Sequence, residues 1–317
     1  MDGKLPVIRN CNRSPSEHAT QQGCPPAPAV TLGLPWVALF ELAWPILIGI
    51  MFGFEMRILV YKSGELAAEK VAQRILSFLE LRPDLVLGLA TGSTPIGVYR
   101  RLIQAHREQG VDFSRVRTFN LDEYLDLPAN HEQSYRFFME KHLFSGLNIL
   151  RRNIHFPPSD GSDLQQQCQD YENRIQEAGG IDIQLLGIGT NGHIGFNEPT
   201  SSLASRTRIK TLTDRTLRDN SRFYKSGERQ PQLASTMGIG TILGARSLIL
   251  QAFGPSKAEA IRAVVEGPIS AFWPGSALQL HPDVHLYLDP DSASKLTLIH
   301  YYQRAQQNEE LLGDRMR

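Results

Sequence analysis

The chain has 317 residues, 41% hydrophobic and 21% charged, the balance of a folded globular protein rather than a fibrous or disordered one. Lys plus Arg and Asp plus Glu each number 33, so no net charge draws the molecule to nucleic acid or an anionic membrane, and any anion must be held locally. Cys11, Cys24 and Cys168 form neither a CxxC pair nor a Cys/His cluster, which argues against a disulfide framework or a zinc site and fits a reducing cytoplasm.

Residues 1–33 are rich in Pro, Asn, Gln and Ser without helical or strand period, a disordered composition. From Leu34 to Phe54 the chain turns strongly apolar, with Glu41 its only ionisable residue, and is long enough to cross a bilayer. Pro45 in mid-segment and the charge of Glu41 weaken a membrane reading, and the segment starts too late for an ordinary signal peptide. Three expectations stay open for 1–55: an extension upstream of a true start at Met51 or Met56, an anchor, or a buried helix. Membrane contact is expected only in the second case.

The folded domain is expected over 56–317, as strands alternating with helices. Arg57–Tyr61 is a short β-type run, and Ser63 can cap a helix carrying Ala68, Val71, Ala72, Ile75 and Leu79 at helical spacing. Leu85–Leu89 is continuously apolar, as in a strand covered on both faces. After it, Thr94 is a candidate N-cap and Pro95 a first helical residue. Further strands are predicted at 116–120, 183–188, 247–253 and 284–288, and helices at 134–144, 164–178 and 257–265. Repeated βα units imply a single-domain α/β fold, a doubly wound, mainly parallel, Rossmann-like sheet flanked by helices. Such sheets bind ligands beyond the carboxyl ends of their strands, where the informative loops fall.

Thr91-Gly92-Ser93-Thr94-Pro95 joins a buried strand to a helix, and its N–H groups and hydroxyls can cradle an anion or simply cap a turn. Asp122 and Glu123 follow a strand; a carboxylate there can serve as general base or as a solvated turn. Gly187-Ile188-Gly189-Thr190-Asn191-Gly192-His193-Ile194-Gly195-Phe196-Asn197-Glu198-Pro199 sets one imidazole and one carboxylate among four glycines, a pattern that favours acid/base use over metal ligation. Arg206, Arg208, Lys210, Arg222 and Lys257 are candidate phosphate cations, each more often a surface charge when taken alone.

Together these motifs resemble the glucosamine-6-phosphate deaminase family. The likeness runs from about Met56 to Tyr302 through LATGSTP at 89–95, TFNLDEY at 118–124, HEQSY at 131–135 and GIGTNGHIGFNEP at 187–199. SSLASRTRIKTLT at 201–213, NSRF at 220–223, GPSKAEAIRAVVEG at 254–267 and LQLHP at 278–282 extend it. The resemblance implies that Asp122 moves a proton between C2 and C1 of the open-chain sugar, and that His193 opens the pyranose ring with Glu198 as its partner. Asn191 stands where some members carry aspartate; an amide can orient a ring nitrogen but stabilises imidazolium less. Phosphate binding falls on Gly92, Ser93, Thr94, Arg222 and Lys257. An effector site for an N-acetylated sugar phosphate is implied at Ser201, Ser202, Arg208 and Lys210 with Tyr301, and requires a homo-oligomer. The expected partner is a small sugar phosphate, with no nucleic acid, and neither a cofactor nor a metal is called for. The nearest rival is a 6-phosphogluconolactonase, which would not need a base at C2. A non-catalytic sugar-phosphate sensor would need a DNA-binding unit, and residues 1–55 contain no convincing helix-turn-helix or basic patch.

Overall fold

The computed structural model describes residues 56–213 and 230–315, with side chains to 312. The apolar segment 34–54 and Arg222 lie outside the described residues. No helix among the described residues is long and apolar enough to cross a membrane.

The chain begins with β1 (Met56–Val60), then α1 (Gly64–Leu81), β2 (Val86–Leu89) and α2 (Ile96–Gln109). β3 (Arg117–Asn120), β4 (Asp122–Tyr124), α3 (Tyr135–His142), β5 (Ile154–His155), α4 (Leu164–Glu177) and β6 (Ile183–Leu186) follow. Next come β7 (Arg208–Thr211), β8 (Leu233–Thr236), the single turn α5 (Ile239–Ile242), β9 (Ser247–Ala252), α6 (Ala258–Val265), β10 (Val284–Leu288) and α7 (Ile299–Arg315). The expected strands and helices are present to within a residue or two.

Seven strands form one sheet in the order β1-β10-β9-β6-β2-β3-β5, every pair parallel. From β2 the chain steps outward through β3 and β5; from β6 it steps the other way through β9 and β10. The switch therefore lies between β2 and β6, and the crevice at their carboxyl ends receives the loops 90–95 and 187–200. Close pairing there depends on Gly88: a methyl at that position would lie 2.0 Å from Gln184 Oε1, so the Gln184 side chain occupies the space.

Both sheet faces are buried, which is why β2 and the Leu248–Leu250 stretch of β9 read as continuous apolar runs. On one face Leu87, Leu89, Ile183 and Leu185 meet Val71 and Ile75 of α1 and Val98 and Leu102 of α2. On the other, Val86, Phe119, Leu248 and Leu250 meet Tyr171 and Ile175 of α4 and Ile261 and Val264 of α6. α7 covers the edge strand: the Val60 N–H donates to Gln306 Oε1 at 2.9 Å, and Arg57 pairs with Glu309 at 3.5 Å.

Two local expectations are corrected. Ser63 caps α1 as foreseen, accepting from the Leu66 N–H at 3.3 Å, but Thr94 does not cap α2. Pro95 is the N-cap residue of α2 and no side chain bonds the first turn, which leaves its N–H groups turned toward the open loop. Asp122–Tyr124 is not a plain turn either. It pairs antiparallel with β8, itself paired with β7, in a second, three-stranded sheet.

Candidate active site

The first loop leaves β2 and enters α2. Gly92 has φ +95°, a left-handed conformation that glycine adopts without strain, and open space surrounds it. Gly92 and Ser93 are exposed while Thr91 and Thr94 are half-buried, so hydroxyls and backbone N–H groups line an open concavity. Lys257, at the start of α6, donates from Nζ to the Ile188 carbonyl at 2.7 Å, which holds its ammonium beside the loop leaving β6.

That loop carries the imidazole. A methyl at Gly189 would fall 2.3–2.5 Å from His193 Cε1, Nε2 and Nδ1, so the ring lies directly over the Gly189 backbone. Gly189 N–H donates to the His193 carbonyl at 2.9 Å and Gly192 N–H to the Gly189 carbonyl at 3.0 Å, closing a tight turn. Gly192 makes that turn possible with φ +79°. His193 Nδ1 stands 3.5 Å from Glu198 Oε2, and Glu198 is buried. Asn191 acts differently from expectation. Its amide donates to Glu198 Oε2 at 2.7 Å and accepts the His193 backbone N–H at 3.3 Å. It therefore orients the carboxylate and the turn rather than the imidazole itself.

β4 supplies the second carboxylate. Asp122 is 6% exposed, and burial, with Glu123 adding repulsion, pushes its pKa up to about 8. Across the strand pair it is in register with Thr236, whose Oγ1 accepts the Phe196 N–H at 3.1 Å. The two loops meet here: a methyl at Gly195 would lie 3.4 Å from Asp122 Oδ2 and 3.0 Å from Thr236 Oγ1. Buried Asn197 fastens the junction by donating to the Ile194 carbonyl at 2.9 Å and the Met237 carbonyl at 2.8 Å. Asp122, the His193–Glu198 pair, Lys257 and the Thr91–Thr94 loop thus all follow the carboxyl ends of parallel strands. This arrangement can tether an anionic carbon skeleton and move protons along it.

Glu123, adjacent to the base, does other work. Its carboxylate accepts the Tyr124 N–H at 2.9 Å and the Tyr135 and Arg136 N–H groups at 2.8 Å each, which places it at the start of α3. Burial still raises its pKa, against the pull of those donors. Two supporting residues carried no sequence signal of their own. Trp273 packs on Gly192, where a methyl would meet its ring at 2.7 Å, and the adjoining Gly275 N–H donates to the Gly192 carbonyl at 2.8 Å. Thr236 joins the base strand to the imidazole loop.

Of the effector candidates, Arg208 and Lys210 lie on β7, and Ser201 is buried behind the Glu198 loop. Arg208 is in register with Thr236 on the side opposite Asp122. It also lines a cavity of about 680 Å³ with Glu172 and Cys168 of α4. Tyr301 lies on α7, half-exposed, in the helix that packs on β1.

Comparison with known proteins agrees with this geometry. The family model for glucosamine-6-phosphate isomerases/6-phosphogluconolactonase matches residues 63–286. The glucosamine-6-phosphate deaminase of Hahella chejuensis is 54% identical over 251 residues, covering 79% of this chain and 96% of that protein. That of Shewanella loihica is 53% identical over 261 residues, 82% and 97% of the two chains. A solved monomeric glucosamine-6-phosphate deaminase is 41% identical with a TM-score of 0.74, covering 76% of this chain and all of that one. The 6-phosphogluconolactonase of Leishmania guyanensis, at 20% identity and TM-score 0.60, shares the fold. The chain belongs to the glucosamine-6-phosphate isomerase/6-phosphogluconolactonase family.

Proposed function

We propose that the protein is a glucosamine-6-phosphate deaminase, converting glucosamine 6-phosphate and water to fructose 6-phosphate and ammonia. The observation that carries this is the meeting of Gly195 with the Asp122 carboxylate, two residues from His193. It supports a base and a ring-opening pair acting on one six-carbon substrate. Such an arrangement goes beyond what a lactone hydrolase requires.

In this reading the substrate phosphate binds Gly92, Ser93, Thr94 and Lys257, with Arg222 as a further cation. His193, with Glu198 and Asn191 behind it, passes a proton to the ring oxygen as the C1–O5 bond breaks. Asp122 then removes the C2 proton and returns it to C1, converting the aldose to a C2 iminium. Water adds to C2, and ammonia leaves as the C2–N bond breaks, giving the ketose. General acid–base groups of this kind contribute roughly 10²–10⁴-fold each. Residues 56–317 form the catalytic domain. The sequence's lack of a CxxC pair or Cys/His cluster supports a cytoplasmic setting. Ser201, Ser202, Arg208 and Lys210 form an effector site, completed by Tyr301 of a neighbouring copy in a homo-oligomer.

The test is a coupled assay for ammonia and fructose 6-phosphate from glucosamine 6-phosphate, with and without the N-acetylated sugar phosphate. Stoichiometric release of both products is expected. Hydrolysis of 6-phosphogluconolactone without ammonia from the amino sugar would overturn the assignment.

A further inference from the structure

Asp122 opens β4, whereas His193 lies in the loop after β6, so their separation is set where these two segments touch. β8 bonds to both. On the base side it pairs antiparallel with β4, Thr236 opposite Asp122, and the Met237 N–H donates to the Leu121 carbonyl at 2.7 Å. On the imidazole side, Thr236 Oγ1 accepts the Phe196 N–H at 3.1 Å, and the Met237 carbonyl accepts the Asn197 amide at 2.8 Å. Directly opposed residues of an antiparallel pair share a face, so the Thr236 hydroxyl and the Asp122 carboxylate lie on the same side of the sheet. Gly195 fits against both: a methyl there would meet Thr236 Oγ1 at 3.0 Å and Asp122 Oδ2 at 3.4 Å. The hydroxyl's own proton is directed to the Met237 carbonyl at 3.3 Å, which leaves its oxygen free to accept from Phe196.

We propose that the Thr236 hydroxyl is the positioning group that sets the His193 loop against Asp122, and that it governs turnover rather than substrate affinity. Thr236 is fully buried and touches no substrate, so it acts through the loop. A buried N–H left without an acceptor is costly, which holds Phe196 down on the strand. The β-branched side chain has a stiff χ1, which fixes where Oγ1 stands. Asn197 secures the flanks by bonding the Ile194 and Met237 carbonyls, and Thr236 secures Gly195 and Phe196, the stretch lying on the carboxylate. Proton transfers at neighbouring carbons of one sugar need the base and the imidazole in fixed relation, and about 1 Å of misplacement can cost roughly 100-fold.

This inference rests on the deaminase reading above, and Thr236→Val tests it. The variant keeps the shape and removes the acceptor. Its kcat for glucosamine 6-phosphate should fall about 10-fold to 100-fold, while KM changes by less than about twofold. Thr236→Ser restores the acceptor and should return kcat to within about threefold of wild type, its unbranched side chain being freer to turn. Gly195→Ala reaches the same junction from the loop side and should lower kcat by a similar ratio, which keeps the test open should Thr236→Val not fold. Thermal melts establish that each assayed variant is folded. Wild-type kcat in folded Thr236→Val would overturn the proposal, as would equal losses in the valine and serine variants or a change confined to KM. Failure of the deaminase reading is seen separately, as absence of ammonia from the wild-type protein.

Discussion

Asp122 and Glu123 are neighbours on one short strand with divergent environments: three backbone N–H groups converge on Glu123, while the Asp122 carboxylate lies against Gly195. Successive strand residues point to opposite faces, so adjacency in sequence separates them in space. One carboxylate holds a helix start, and the other is left for protons.

Asp122→Asn should therefore lower turnover by at least about 100-fold while substrate still binds. Steady-state ammonia release with a parallel binding isotherm measures both. Wild-type turnover in the variant would remove Asp122 from the chemistry.

The raised pKa of Asp122 sets a pH dependence. A base must be ionised, so kcat/KM should climb with pH through an acid limb centred near about 8, not near the ordinary 3.8. Stability has the opposite sign. A carboxyl whose folded pKa lies above its unfolded value favours folding below about pH 4 and loses that contribution as pH rises toward 8. Asp122→Asn should consequently melt above wild type at pH 8 and gain nothing at pH 4.

Gly189→Ala tests the seat of the imidazole. Its methyl would occupy the space of the His193 ring, so the ring must move. Turnover should fall by about 100-fold, the cost of displacing a catalytic group by roughly 1 Å, with little change in the far-ultraviolet dichroism. Retained turnover would show that the ring position is not required.

Lys257→Ala should raise KM about tenfold or more, as expected for loss of a charged hydrogen bond to phosphate. An unchanged KM would confine Lys257 to its bond with Ile188.

Buried Glu172 accepts the Thr207 N–H at 2.8 Å and the Thr241 hydroxyl at 2.5 Å, and pairs with Arg206 at 2.5 Å, fastening α4 to the loop that precedes β7. Glu172→Ala leaves the Thr207 and Thr241 donors without their acceptor, while the exposed Arg206 guanidinium stays hydrated, and should cost about 2 kcal/mol in urea unfolding.

Much of the fold was legible because both faces of the main sheet are covered. Leu85–Leu89 and Leu248–Leu250 are continuously apolar, and Ser63 marks a helix start with its own side chain. The second sheet was not legible. Asp122–Tyr124 is three residues long and polar, and it becomes a strand only because Leu233–Thr236, far along the chain, lies beside it. Thr94 misled for a related reason: its sequence suits a cap, whereas the loop leaves the helix start open. Asp122, His193 and Glu198 stood out as charged groups in glycine-rich or strand-end settings. Trp273 resembles an ordinary core aromatic in sequence, and its relation to the site arises entirely from long-range packing.

The recognised stretch, 63–286, starts after β1 and stops inside β10. A fragment trimmed to that stretch would lack the Gln306 amide that satisfies the Val60 N–H, and Val60 itself. Without β1, what remains of β10 would become an apolar rim with an unpaired backbone, a template for strand addition by other molecules. The integrity of that sheet edge thus rests on β1, outside the recognised stretch, and on the C-terminal helix that ties it down.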